Sequence, residues 1–257
     1  MGSVSVESVS NLRELGGIPV VGGAIAEGQL FRSGHLGALS DQDEARLIDA
    51  GIRTIIDLRS DNDIASEGPD RVPAGVAHHR VPIHDDAGRG DDLRTIIMRG
   101  DLDELRAEMG EGRGHRIARD GAAGFVENPD RMASFARAME VVTDPDNWPL
   151  LWHCSAGKDR AGWIGTAVLL AAGAEDDVIV DHYLESNHRI GASALFPESE
   201  LKDLIRPFLE VHEDYVRAQL AVVDQRWGGP AGLYRDGFGL ASDVVDRFRA
   251  ELVVVAA

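Results

Sequence analysis

This sequence of 257 residues is short of basic residues relative to acidic ones, and nearly without cysteine. It carries 26 Lys and Arg against 44 Asp and Glu, for a formal charge of −18, and a single cysteine, Cys154. One cysteine excludes an internal disulfide, and no Cys/His pair has the spacing of a zinc site. The shortage of cations argues against a nucleic-acid binder, which has to replace the counterions of a polyanion with charges of its own. The same shortage sets a condition on any anionic substrate, because an acidic protein must build a local positive potential to hold one. Low-complexity tracts and internal repeats are absent. The N-terminus lacks the basic start and apolar core of a signal peptide, and Val6 breaks the myristoylation pattern. The longest apolar run, Ala161–Ala174, is too short to span a bilayer and reads as a buried helix. These absences lead to the expectation of a soluble protein in a reducing cytoplasm, with no integral membrane segment. His78, His79 and His84 cluster on a strand and its exit and read as ordinary histidines, so neither metal nor cofactor is called for.

What is present is an alternation of short β-rich runs and helical stretches, which predicts an α/β fold with a mainly parallel central sheet flanked by helices. The expected strands are Gln29–Arg32, Arg53–Leu58, Val76–Ile83 and Leu150–His153. A helix over Ser40–Ala50 has Ser40 to cap it, Asp43 three residues on and Gly51 at its end. Asn128-Pro129 opens another, with proline in the first turn where its missing N–H costs nothing. Helices are also expected at Asp176–Asn187, around Pro207–Gln225, and over Asp243–Val254 behind a Ser242 cap. The length suits one domain, residues 1–257. Within it, residues 86–124 are charged and punctuated by glycine, and read as a helical insertion able to act as a lid.

The chemistry concentrates in Leu150-Leu151-Trp152-His153-Cys154-Ser155-Ala156-Gly157-Lys158-Asp159-Arg160. An apolar strand enters a short loop and a helix starts at once, so loop amides and the positive end of a helix aim at one point. Gly157 permits the turn that lets those amides converge. Cys154 stands where this anion cradle begins, so the field that holds phosphate also favours its thiolate. Arg160, with five residues between it and the cysteine, offers a planar fork for two phosphoryl oxygens, which a lysine would not reproduce. A nucleotide-binding P-loop does not fit, because Trp152 replaces its first glycine and Asp159 its magnesium-binding hydroxyl.

His153-Cys154-x5-Arg160 resembles the signature of the protein-tyrosine phosphatase superfamily, and His-Cys-Ser-Ala-Gly-Lys-Asp-Arg resembles one bacterial branch of it. Asn11-Leu12-Arg13, Leu30-Phe31-Arg32-Ser33, Asp57-Leu58-Arg59-Ser60 and Tyr183-Leu184 extend the likeness along the chain. It is weakest from Asp86 to Gly124, where that branch carries its lid. The resemblance implies a phosphatase of the cysteine type. Cys154 forms a phosphocysteine, Arg160 binds phosphate, and Asp159 serves as general acid. Asp85, at a position linked to phosphoinositide use, is the other candidate acid. His153 orients and tunes Cys154, and Ser155, Ala156, Gly157 and Lys158 line the phosphate site. Lys158 either meets a further phosphate or neutralises Asp159 or an acid of the lid. The implied partners are phosphorylated proteins, at tyrosine and also serine or threonine, or phosphoinositides. Export without a signal peptide is a second address that the resemblance brings. Ala161 departs from the pattern, standing where the family usually has the Thr or Ser that helps the thiolate leave. Two other classes compete: a phosphate-binding module with weak turnover, and a sulfur-transfer or arsenate-handling protein. The oligomeric state has no sequence signal.

Overall fold

In the computed structural model, residues 7–84, 96, 99, 101–191 and 197–255 are described. Three short strands come first, β1 (Arg13–Glu14), β2 (Pro19–Val20) and β3 (Gly23–Ile25). The stretch up to residue 80 then alternates β4 (Leu30–Ser33), α1 (Asp41–Asp49), β5 (Thr54–Asp57), α2 (Asp61–Glu67) and β6 (Ala77–Arg80). Helices α3 (Leu102–Met109), α4 (Arg113–Glu127) and α5 (Pro129–Val142) precede β7 (Leu150–His153). After it run α6 (Arg160–Ala172), α7 (Asp176–Ile190), α8 (Glu200–Leu209), α9 (Glu213–Val222), α10 (Ser242–Leu252) and β8 (Val253–Val254).

The main sheet has the order β1-β4-β7-β5-β6, with β4, β7, β5 and β6 parallel and β1 antiparallel on β4. β7 lies in the middle, and its last residue, His153, is level with Ser33 of β4 and Asp57 of β5. The carboxyl ends of three strands therefore finish in one row, the edge at which open α/β sheets present their ligand sites. Both faces are covered at β4, β7 and β5, which are buried along their whole length. Leu30, Ile56, Leu150 and Trp152 face a core shared with α5, α6, α9 and α10, while Phe31, Ile55 and Leu151 face a smaller one with Leu47 of α1. The edge strand β6, with His78 and His79, is exposed along its length.

The helices lie near their expected places, with three differences from expectation. Ser40 accepts from the Asp43 N–H, but the Asp43 carboxylate does not close the box. It turns to Ser8, accepting from its N–H at 2.8 Å and from its hydroxyl at 2.5 Å, and so ties down the chain that leads into Asn11. The reciprocal capping box forms instead at Ser60 and Asp63, opening α2. The helix expected around Pro207–Gln225 is two: α8 ends at Leu209, and α9 starts at Glu213. Ser242 is the first residue of α10 and makes no capping bond, and Val253 leaves that helix to pair with Ile25 in a small second sheet of β2, β3 and β8. Of residues 86–124, the stretches before 96, at 97–98 and at 100 lie outside the described residues. α3 packs Leu105 and Met109 on Ile205 of α8, and Ala122 of α4 joins the main core.

Candidate active site

β7 ends in a buried loop whose shape is imposed from behind. Gly157 has φ of +71°, and a Cβ there would stand 2.4 Å from the backbone of Ser33, so no other residue fits the turn. Each loop carbonyl is drawn outward by a donor from another part of the chain. The His35 N–H donates to Ser155 O at 3.0 Å, and Asn11 Nδ2 donates to Ala156 O at 3.3 Å and Gly157 O at 2.8 Å. Arg32 Nη2 donates to Gly157 O at 2.7 Å and Lys158 O at 3.2 Å. In a planar trans peptide the next residue's N–H points the opposite way. Drawing back four carbonyls therefore leaves the N–H groups of Ala156, Gly157, Lys158 and Asp159 on the other side of the loop backbone, an arrangement suited to an anion cradle. Asn11 is itself held in a left-handed conformation, with φ of +57°, by Arg13, which bonds its side chain and its carbonyl.

Cys154 lies at the start of the cradle, 2% exposed, and Arg160 opens α6 at its end. The Arg160 guanidinium donates to Asp63 Oδ2 at 2.6 Å, Ser155 Oγ at 3.1 Å and the Ile83 carbonyl at 3.5 Å. Asp63 is in turn fixed by the Ser60 cap, whose N–H and hydroxyl both donate to it at 2.8 Å. Burial works against the charge of Asp63, but Arg160 and the Ser60 donors outweigh it and bring the carboxyl down to about 2. The clamp is thus aimed by a carboxylate that is itself locked.

Behind the nucleophile, His153 is fully buried between two carboxylates, with Nε2 3.0 Å from Asp70 and Nδ1 3.8 Å from Asp57. Asp57, Asp70, His78 and His153 bring ligand atoms within 4.8 Å of one another. Arg59 brings its guanidinium to the same cluster, 3.0 Å from Asp57 and 2.9 Å from Asp70. Burial opposes the ionisation of Asp70, yet His153, His78 and the Leu36 N–H hold it far below the usual carboxylate range. This network is structural in its effect: it pins the residue before Cys154 and keeps the His153 side chain away from solvent.

Asp159 occupies the capping position of α6 without spending its carboxylate on a cap, and its side chain is 47% exposed. Lys158 points the other way, donating to the Phe208 carbonyl at 2.5 Å, with Asp159 at 3.8 Å. That carbonyl is one of the last in α8, where a helix end favours a cation.

The structure thus gathers Cys154, Ser155, Ala156, Gly157, Lys158, Asp159 and Arg160 in one loop with His153 behind it. Asp85 lies outside the described residues. Asn11, Arg32, Asp63 and Asp70 surround the loop without having been expected as site residues, Asn11 and Arg32 having figured only within the family-like motifs. Signals for two of them existed: an arginine inside the apolar strand Leu30-Phe31-Arg32, and the capping spacing of Ser60 and Asp63.

A cysteine in a carbonyl-tethered anion cradle, closed by an arginine at the start of a buried helix, is the arrangement of a cysteine-type phosphatase. The tyrosine phosphatase family profile matches residues 4–254. The chain is 32% identical over 261 residues to the triple specificity protein phosphatase PtpB of Mycobacterium tuberculosis, covering 90% of this chain and 92% of that one. It is 29% identical to a putative tyrosine-protein phosphatase of Cupriavidus necator, covering 91% and 83%. Among solved structures, the catalytic core of the yeast PP-IP phosphatase SIW14 aligns over 79% of this chain and 87% of its own, at 14% identity and a TM-score of 0.40, a loose likeness. The chain belongs to the tyrosine phosphatase family, and it is an enzyme of the phosphoric monoester hydrolase class. No described helix is long and apolar enough to cross a membrane.

Proposed function

We propose that the enzyme hydrolyses phosphotyrosine-type monoesters in two in-line phosphoryl transfers through a phosphocysteine at Cys154. The observation that carries this is the tethering of the loop carbonyls between Cys154 and Arg160, which leaves the four N–H groups that follow them available to an anion. In the first step the Cys154 thiolate attacks phosphorus and the ester P–O bond breaks. The cradle amides and the Arg160 fork hold the equatorial oxygens, and Asp159 gives its proton to the departing oxygen. In the second step water attacks the phosphocysteine, Asp159 takes the proton from that water, and inorganic phosphate leaves as the thiolate returns. Asp159 is chosen because its carboxylate is exposed beside the cradle and committed to no cap. His153, enclosed by Asp57 and Asp70, positions the cysteine and takes no proton.

The engagement of Lys158 with the end of α8 supports the reading in which it neutralises Asp159 and anchors the neighbouring helices. The site then reads one phosphate through the loop and leaves the rest of the substrate to the surrounding surface. Phosphoserine, phosphothreonine and phosphoinositides remain within the proposed range, in keeping with the name of the mycobacterial relative. The segment 86–124 is proposed as the cover of the site within a single phosphatase domain. The test is kcat/KM for a phosphotyrosyl peptide, the matched phosphoseryl and phosphothreonyl peptides, and a monophosphorylated phosphoinositide in mixed micelles. The phosphotyrosyl peptide is expected to lead by tenfold or more, on the order of one pKa-sized step in transition-state energy. A phosphoinositide that leads by that margin would overturn the peptide preference and return Lys158 to substrate binding.

A further inference from the structure

The acidic composition left one question open: where the cations that hold an anion come from. Among the described residues, Arg160 is the arginine that closes the loop on its open side, through Ser155 Oγ. Beneath the loop lies a second guanidinium, Arg32, fully buried, with its Nε and Nη1 lacking any hydrogen-bond partner. Among the described residues it pairs with no carboxylate, and its only bonds are to the Gly157 and Lys158 carbonyls. A buried cation with no counter-ion is costly, and is retained where a charge elsewhere answers it. The neighbours sharpen the point. Arg13 stands directly opposite Arg32 across β1 and β4, a like-charge pairing that a sheet ordinarily avoids. Of the groups facing this pair, His182 and Tyr183 of α7 carry no negative charge at neutral pH. Glu185 pairs with Arg13, 3.6 Å away, and Asp159 and Glu185 support the charge of Arg32 through space, less than Cys154 does.

The catalytic helix is shaped to admit the guanidinium. Glycine is among the poorest helix formers, yet α6 has Gly162 and Gly165 three apart on one face. A Cβ at Gly162 would stand 3.1 Å from Tyr183 Cε2 and 3.2 Å from Arg32 Nη2, and one at Gly165 3.2 Å from Arg32 Nη1 and 3.3 Å from His182 Cε1, so the glycines make room for the guanidinium and for the α7 side chains beside it. Burial depresses the Arg32 pKa, and the Cys154 sulfur is the largest influence raising it again.

We propose that Arg32 is a positioning residue whose charge, fixed behind the loop, stabilises the Cys154 thiolate and the bound phosphoryl group without touching either. It acts through the loop. By donating to the Gly157 and Lys158 carbonyls it polarises the peptide groups whose N–H atoms, on Lys158 and Asp159, face the anion. Its own charge adds to the potential at the sulfur in a region that water does not screen.

This rests on Cys154 being the reactive thiol, and the test reads that thiol without turnover, so its failure is distinct from failure of the nucleophile assignment. Because Cys154 is the only cysteine, the rate of alkylation by iodoacetamide against pH reports one group. Arg32→Lys keeps the charge, Arg32→Gln keeps an amide donor without charge, and Arg32→Met keeps neither. The midpoint of the profile is expected to move little in Arg32→Lys. In Arg32→Gln and Arg32→Met it should rise by about one pH unit or more, which slows alkylation about tenfold below both midpoints. A midpoint in either neutral variant equal to that of wild type would reduce Arg32 to a scaffold. Arg32→Lys decides the matter even if the neutral variants fail to fold by circular dichroism, since an upward move of a full unit there would show that charge is not the agent.

Discussion

Cys154→Ser is expected to lose hydrolysis of an aryl phosphate by about a thousandfold or more, while the folded protein still binds oxyanions such as tungstate. The two halves of this result have different sources. Turnover needs a thiolate as nucleophile, and a serine hydroxyl in the same position remains protonated and is a weak one. Anion binding needs the inward amides and Arg160, none of which depends on the sulfur. Ser155, Ala156, Gly157 and Lys158 keep their tethers to His35, Asn11 and Arg32 when the side chain at position 154 changes. Steady-state hydrolysis and the rise in melting temperature with tungstate measure the two halves separately. Activity within tenfold of wild type would end the assignment of Cys154. Loss of the tungstate effect in a folded variant would show that the sulfur holds the loop in shape.

Arg160→Lys conserves charge and is expected to lower kcat/KM by about a hundredfold or more. A lysine is a point charge with no fork, so it cannot span Asp63 Oδ2 and Ser155 Oγ while presenting a second edge to the phosphoryl group. The ammonium would be drawn to Asp63, the nearest anion, at the expense of the substrate. The loss should fall on kcat as well as KM, because the charge on the equatorial oxygens is redistributed in the transition state. Near-normal kcat/KM in this variant would make Arg160 a structural tie between α2 and α6.

The parts of the site that the sequence announced are those packed into one contiguous stretch. From Leu150 to Arg160 the strand, the glycine turn, the cysteine and the arginine are neighbours in the chain, so local rules were enough to assemble them. Asn11 and Arg32 reach the same loop from more than a hundred residues away. Only the register of β4 on β7, with Ser33 level with His153, brings them there, and no local pattern encodes a register between distant strands. Asp63 was within reach of the reading, since Ser60-x-x-Asp63 has capping spacing, but its second role as partner of Arg160 again depends on tertiary placement. The two-residue strands β1, β2 and β8 have too few residues for any alternation to show. The division between α8 and α9 was hidden because Pro207, which looked like a helix start, lies near the end of α8.

The glycines of α6 show how function overrides helix propensity. Read alone, Arg160-Ala161-Gly162-Trp163-Ile164-Gly165 is an indifferent start to a helix. In place, the helix is buried nearly throughout, with Trp163 edge-on to Phe135 at 6.5 Å between centroids, and packing supplies what propensity lacks. The space left at Gly162 and Gly165 goes to Arg32.

The central claim is that phosphate passes through a covalent bond to sulfur, and Ala161 makes that claim directly testable. With no hydroxyl following Arg160 to assist departure of the thiolate, hydrolysis of the intermediate should be slow relative to its formation, so the phosphocysteine should accumulate. Rapid mixing of wild-type enzyme with a labelled aryl phosphate, followed by acid quenching and peptide mapping, is the measurement. The account predicts a burst of aryl alcohol matched by label on the peptide that contains Cys154, with the label absent in Cys154→Ser. Full turnover with no burst and no label on that peptide would contradict it, and would mean that water attacks phosphorus directly.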